Sequence, residues 1–301
     1  MEISIVVPVF NSEESLEELV SQIRQALKNL THEIILVDDR SVDKSWTMIK
    51  DLSARFDNVV GLRLNRNYGQ DNALLAGLHH VRGKYAVIMD DDLQHSPSDI
   101  PALYEVCREG YDVVYADFQK KEQAWWKNLG SWANGRMLTY LLGKPKDLYI
   151  SPFKMISSYL VKQIIKYKGQ YPYIDGIIFN LTQNIAKIPI KHHKRMLGKS
   201  NFTFSRSARL FLKIFTSFSI VPLRISTYLG FLVSLCGFLL IPYYLWEYFT
   251  GMIDTEGWIT LTLLLLILIG LVLLSLGIIG EYLGRIYMLM TFDRRFLISE
   301  V

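Results

Sequence analysis

The chain has 301 residues, half of them apolar and 21% charged, with 33 Lys and Arg against 29 Asp and Glu for a net charge of +4. That length allows one large domain or two small ones, and two cysteines, Cys107 and Cys236, exclude a disulfide framework or a cysteine metal site. A slightly positive mean hydropathy of +0.18 hides an asymmetry: the first two-thirds reads like a soluble protein, while the last third is dominated by long apolar runs.

In chain order, Ile3–Val9, Glu33–Val37, Val59–Leu64, Tyr85–Met89 and Asp112–Tyr115 are predicted strands. They are mostly continuous apolar runs, as strands buried on both faces should be. The N-terminal run is short and follows Glu2, which argues against a secretory leader. Between the first two strands Leu16, Leu19, Val20, Ile23, Leu27 and Leu30 recur at helical spacing. Ser12 is placed to cap this helix, with Glu13 and Glu14 in its first turn. Strands alternating with helices predict an α/β, Rossmann-like and mostly parallel sheet covered on both sides, over about residues 1–200. In such sheets the ligand lies beyond the carboxyl ends of the strands.

Three of those ends are chemically loaded. They read Pro8-Val9-Phe10-Asn11-Ser12-Glu13, Asp38-Asp39-Arg40-Ser41-Val42-Asp43 and Asp90-Asp91-Asp92-Leu93-Gln94. Acidic clusters are commonly solvated turns. Three adjacent carboxylates directly after the apolar Ala86-Val87-Ile88-Met89 repel one another beside a buried strand, and a divalent cation would supply the counter-charge. Carboxylate and amide oxygens suit Mg²⁺ or Mn²⁺. On pattern alone both readings stand. The sequence has no glycine-rich phosphate loop, so a bound diphosphate would need a metal and basic side chains.

From Lys187 to Arg224 there are nine Lys and Arg and no Asp or Glu, a stretch attracted to phosphate or anionic lipid. Its position just before the apolar runs favours membrane lipids over nucleic acid. Ile225–Trp246 and Trp258–Gly280 are uncharged, and each exceeds the ~20 helical residues that cross a hydrocarbon core. Two transmembrane helices are therefore expected, at about 225–248 and 258–280, preceded by a juxtamembrane helix at 201–224. No Lys or Arg occurs between them, whereas Arg224, Arg285, Arg294 and Arg295 flank them. Both termini are then expected on the cytoplasmic side of the inner membrane, with an outer belt of Tyr243, Tyr244, Trp246, Tyr248 and Trp258.

Taken together, these segments resemble family 2 glycosyltransferases of the GT-A fold, and among them the polyprenyl-phosphate glycosyltransferases. Val7-Pro8-Val9-Phe10-Asn11 is similar to the family's opening V-P-V-Y-N-E. Val37-Asp38-Asp39-Arg40-Ser41 is similar to V-D-D-G-S, with Arg40 in the glycine's place. Leu64-Asn65-Arg66-Asn67-Tyr68-Gly69-Gln70 is similar to the version in the aminoarabinose transferases. Asp90-Asp91-Asp92-Leu93-Gln94 matches D-A-D-L-Q, the DxD metal motif, and Arg195-Met196-Leu197-Gly198-Lys199-Ser200 matches the R-x-x-G-x-S acceptor loop. Pro222-Leu223-Arg224 and Gly280-Glu281-Tyr282-Leu283-Gly284-Arg285-Ile286-Tyr287 match the segments flanking the membrane helices.

The resemblance implies a role for each residue. Pro8, Phe10 and Glu13 would frame the nucleotide base, Asp39 would accept a hydrogen bond from it, and Asp91 would stand beside them, possessing no further assigned part. Asp90 would face ribose or sugar, while Asp92 and Gln94, with Asp90, hold the divalent metal on the diphosphate. Lys121, Lys127, Ser131 and Arg136 would meet the acceptor phosphate from an amphipathic interface helix at about 121–143. Arg195 and Ser200 would clamp phosphate from the acceptor loop. Pro8 and Phe10 also suit plain turn and core packing, and Trp125, Trp126 and Trp132 suit either a headgroup anchor or a core.

The reaction so implied moves a sugar from a nucleotide sugar, with UDP the default, to polyprenyl phosphate, with metal dependence and inversion, in a homotetramer. Three segments depart from the family's pattern: Phe118 replaces an arginine near the acceptor, so that contact is absent or falls to Lys120 or Lys121; Ser151-Pro152-Phe153-Lys154 only loosely follows the sugar-site segment, which leaves the donor sugar open; and Thr291-Phe292-Asp293-Arg294-Arg295 replaces the usual basic, proline-containing tail. A processive polysaccharide synthase would carry Q-x-x-R-W and more spans, neither found here. The remaining alternative is a silent nucleotide-sugar-binding membrane scaffold.

Overall fold

The computed structural model describes residues 1–118, 144–145, 148, 150–169, 172–190, 221–250, 258–291 and 296–301. The chain divides into two units, Met1–Phe202 with Asp293–Val301, and Thr203–Phe292.

The first unit is built on an eight-stranded sheet. Its first half alternates strand and helix: β1 (Ile3–Val9), α1 (Leu16–Ala26), β2 (His32–Asp38), α2 (Ser45–Arg55), β3 (Val59–Leu64), α3 (Gln70–Leu78), β4 (Tyr85–Ile88) and α4 (Ile100–Arg108). Then come β5 (Val113–Phe118), β6 (Lys154–Ser157), α5 (Ser158–Ile164), α6 (Ile174–Leu181), β7 (Ile185–Ile190) and, near the C-terminus, β8 (Ile298–Glu300). The strand order is β7-β5-β6-β4-β1-β2-β3-β8. β4, β1, β2 and β3 run parallel, as do β5 and β7, while β6 is antiparallel to both β4 and β5, and β8 to β3. The sheet is thus mixed.

Strand alternation divides the core between two faces. Ile5, Val7, Leu36, Val87, Val114 and Met155 pack with α1, α2 and α4 on one face. α3 lies so close to the other that a Cβ on Gly77 would stand 2.4 Å from Val6 Cγ1 and 3.0 Å from Val37 Cγ2.

The predicted strands are present, with β2 longer at both ends and β5 running on to Phe118. Three further strands had weak signals. β6 has four residues, and β8 has three. β7 contains Pro189, which removes an amide donor and is tolerated because the strand is an edge. Ser12 does not cap α1, which starts at Leu16. Its amide instead donates to Ser45 Oγ at 2.9 Å and its hydroxyl to the Phe10 carbonyl, so the segment serves the strand end rather than the helix.

β8 returns the chain to the first unit. Asn65 N donates to the Leu297 carbonyl at 2.8 Å, and Trp46 Nε1 to Glu300 at 3.1 Å.

The second unit holds α7 (Val221–Thr250) and α8 (Trp258–Thr291), of 30 and 34 residues. Ser226 and Ser275 hydrogen-bond between them at 2.6 Å. Among the described residues one segment, Ile267–Gly284, is apolar and long enough to cross a membrane, with a mean hydropathy of 2.1 and none of it buried. Among the described residues, α7 carries the shorter apolar segment Leu223–Val233.

Gly77→Ala must overpack the α3–sheet contact. It is expected to cost about 1–3 kcal/mol, read as a lower melting temperature of the full-length chain with unchanged circular dichroism at low temperature.

Candidate active site

The parallel strands β1, β2 and β4 end side by side, and each delivers one of the loaded segments. Each segment contains a non-glycine residue in the left-handed region: Asn11 at φ 55°, Arg40 at φ 61° and Leu93 at φ 57°. Such residues are uncommon, and they persist where surrounding contacts hold them. Those contacts lace the first two loops together. Asn11 N donates to Ser41 Oγ and Asn11 Oδ1 accepts from Val42 N, both at 3.0 Å. Glu13 N donates to Asp43 at 3.2 Å, and the Glu13 carboxylate accepts from Lys44 N at 2.7 Å.

Between the loops lies a cavity of about 390 Å³. β1 contributes Pro8, Val9 and Phe10 to its wall, β2 Asp39, the β3–α3 turn Asn67, Gly69 and Gln70, and β4 Asp90, Asp91 and Asp92. Phe10 is about half exposed, a ring kept out of the core at the site's edge.

Its carboxylates are balanced one by one. Asp38, fully buried, accepts from Ser41 N at 3.0 Å and pairs with Arg63 Nε at 3.1 Å. Asp39 accepts one amide on each oxygen, Tyr68 N at 2.7 Å and Gly69 N at 2.8 Å. Burial still raises its carboxyl above the ordinary range, against those two bonds. Asp91 accepts from Phe10 N at 3.3 Å, and burial raises it too, with hydrogen bonds from Ser12 and Phe10 acting in the opposite sense. Asp92 accepts from Gln94 N at 3.1 Å.

Asp90 has the least compensation. Burial, followed by repulsion from Asp92 and Asp91, pushes its carboxyl up to about 7, against the charge of Lys154 and a hydrogen bond from Gln70. That bond, from Gln70 Nε2, is 2.7 Å long.

Among the described residues no group of three or more His, Cys, Asp or Glu closes on a common metal position. Mg²⁺ and Mn²⁺ at a phosphate site take one or two carboxylates and complete their shell with phosphate oxygens and water. Asp90 and Asp92 share one cavity wall, where burial and the neighbouring carboxylates raise Asp90, and two carboxylates so placed fit that partial shell.

Comparison with known proteins agrees with this architecture. Residues 4–165 match the model for glycosyl transferase family 2. The chain is 32% identical over 304 residues to the undecaprenyl-phosphate 4-deoxy-4-formamido-L-arabinose transferase of Enterobacter sp. (strain 638), covering 99% of this chain and 93% of the relative. It belongs to glycosyl transferase family 2.

Solved structures share the fold of this glycosyltransferase. Glucosyl-3-phosphoglycerate synthase from Mycobacterium tuberculosis, in complex with Mn²⁺ and UDP-glucose, superposes with a TM-score of 0.53 at 18% identity, over 72% of this chain and 77% of that one. The complex of the same enzyme with Mn²⁺, UDP-glucose and phosphoglyceric acid gives 0.53 at 18% identity, over 72% and 78%. These are GT-A-like mixed sheets.

Of the residues singled out in the sequence, Pro8, Phe10, Asp39, Asp90, Asp91 and Asp92 line one cavity. Glu13 and Gln94 are not in its wall: Glu13 ties loop to loop, and the Gln94 amide supports Asp92. Lys121, Lys127, Ser131, Arg136, Arg195 and Ser200 lie outside the described residues, as do Trp125, Trp126 and Trp132. Sequence reasoning missed Asn67, Gly69 and Gln70 as wall residues, although they belong to the quoted segment after β3. It also missed Asp175 and the burial of Lys154 against it, because each sits in a short element.

Asp90 holds its proton more tightly folded than unfolded, so the folded state binds more protons between the two values. Without divalent ions, stability is therefore expected to fall as pH rises from about 4 to about 7 and then to level off. Melting temperatures in EDTA should show this slope for the wild type and lose it in Asp90→Asn; an equal slope in both proteins contradicts the assignment.

Proposed function

We propose that this glycosyltransferase moves a sugar from a UDP-sugar to a polyprenyl phosphate, undecaprenyl phosphate in a bacterial cell, at the cytoplasmic face of the inner membrane. The observation that carries the reading is the Asp90–Asp92 run opening into a cavity shared with Phe10 and Asp39. Full-length similarity to a transferase named for undecaprenyl phosphate supports the acceptor.

In this reading Phe10 and Pro8 pack against the base, and Asp39, already rigid on two amides, accepts from its edge. Asp90 and Asp92 would hold a divalent metal, which when bound would supply charge stabilisation to the leaving group. Asp91 acts indirectly by fixing Phe10 through its backbone. An acceptor phosphate is already largely ionised near neutral pH, its second pKa being about 6, so no strong base is required. Its oxygen forms the new bond to the anomeric carbon as the bond to the diphosphate oxygen breaks, and UDP departs with that electron pair. A single displacement inverts the configuration. Catalysis comes mainly from positioning and charge.

Arg195 and Ser200 are assigned to the acceptor phosphate on the R-x-x-G-x-S motif, and Lys121, Lys127, Ser131 and Arg136 on the family resemblance alone. α7 and α8 are assigned as two membrane spans with both termini cytoplasmic, on their lengths, the apolar segment in α8 and the flanking arginines. The functional assembly is a homotetramer in this proposal.

The experiment is transfer from a panel of radiolabelled nucleotide sugars to undecaprenyl phosphate in detergent. A mild-acid-labile glycolipid of inverted configuration, abolished by EDTA, is expected, with its label naming the donor. Asp92→Ala should lower turnover by at least about 100-fold while the protein keeps its melting temperature. A product of retained configuration, or full activity in EDTA, contradicts the mechanism.

A further inference from the structure

A cation is buried behind the acidic run. Lys154 is 2% exposed and occupies the start of β6, directly opposite Ile88 in the antiparallel pairing with β4. Residues paired in this way project from the same face. Asp90 follows Ile88 by two positions, and Met89 between them packs into the core of the opposite face, so Asp90 continues the alternation. Lys154 and Asp90 are then diagonal neighbours, a relation that separates backbones by about 7–8 Å. Lys154 is the cation whose charge acts on Asp90.

The ammonium is fixed in place. Lys154 Nζ pairs with the Asp175 carboxylate from α6. The same oxygen, Oδ1, accepts from the Tyr115 hydroxyl at 2.7 Å, and Tyr115 is fully buried. Lys154 Nζ also lies 5.1 Å from the Tyr115 ring centroid. A buried charge is costly to maintain, and breaking such a pair by removing one partner is strongly destabilising. Neither the transfer chemistry nor the base contact uses this cluster.

We propose that Lys154 is a resident counter-ion for the Asp90–Asp92 cluster, a positioning residue that makes divalent-cation binding conditional on the nucleotide diphosphate. Without a diphosphate, its fixed positive charge partly neutralises the carboxylates and opposes a second cation. A diphosphate brings negative charge that outweighs this opposition, so cation and nucleotide bind together. The inference rests on the metal reading given above.

Mn²⁺ binding to the purified full-length protein, read from the electron paramagnetic resonance signal of free Mn²⁺, tests it with and without UDP. The wild type should bind Mn²⁺ weakly alone and far more tightly with UDP. Lys154→Gln combined with Asp175→Asn removes both charges and keeps a hydrogen-bonding pair. Its nucleotide-free affinity should rise by about tenfold, because of the two charges removed it is that of Lys154 which acts on Asp90. Asp175→Asn alone leaves the ammonium unopposed and should weaken nucleotide-free binding, which gives a second reading of opposite sign if the double variant does not fold. Lys154→Arg should behave as the wild type. UDP-dependent binding with nucleotide-free affinities equal across these folded proteins overturns the counter-ion role alone. Absence of Mn²⁺ binding even with UDP overturns the metal reading and this inference together.

Discussion

Five carboxylates, on Asp38, Asp39, Asp90, Asp91 and Asp92, converge where neighbouring strands of one sheet end, and the structure around them is organised by the need to balance that charge. Each is met differently. Asp38 has Arg63, which also reaches Glu300 of the returning C-terminal strand at 3.5 Å. Asp39 has two backbone amides of the β3–α3 turn, so its charge fixes that turn against β2. Asp91 holds the amide of Phe10 and thereby the aromatic wall. The acids are therefore also the fasteners of the loops that frame the cavity.

What the loops gain from this is rigidity. Of the three left-handed residues, Asn11 is held by the Ser41 hydroxyl and the Val42 amide of the neighbouring loop. A preorganised wall of this kind suits a diphosphate, whose charge would otherwise demand reorganisation at the moment of reaction. Asp90 is the least compensated of the acids, with the charge of Lys154 acting on it and the open cavity beside it. The second unit holds two long helices, one of which carries an apolar segment long enough to cross a membrane.

Much of this was legible in the sequence because burial on both faces leaves mostly apolar runs, and the runs read for β1 and β3 stop at the observed strand ends. The rule that ligands bind beyond strand ends then located Pro8, Phe10, Asp39 and Asp90–Asp92, which do share a cavity. Local pattern could not show which acids are occupied internally, since Asp39 and Asp91 are satisfied by amides distant in sequence. Nor could it show β6, whose Lys154 interrupts the apolar pattern that marks a buried strand and is admitted there by Asp175, 21 residues away. Ser12 misled for a related reason: its capping chemistry is real, but it is spent on the strand-end loop.

The most direct test of the central claim is anomalous diffraction at the manganese edge from crystals of the full-length protein soaked with MnCl₂ and UDP. A peak bounded by the Asp90 and Asp92 carboxylates is expected, with the uracil between Phe10 and Asp39 and the diphosphate beside the metal. Uracil seated there without a manganese peak, or a manganese peak away from Asp90 and Asp92, would contradict it.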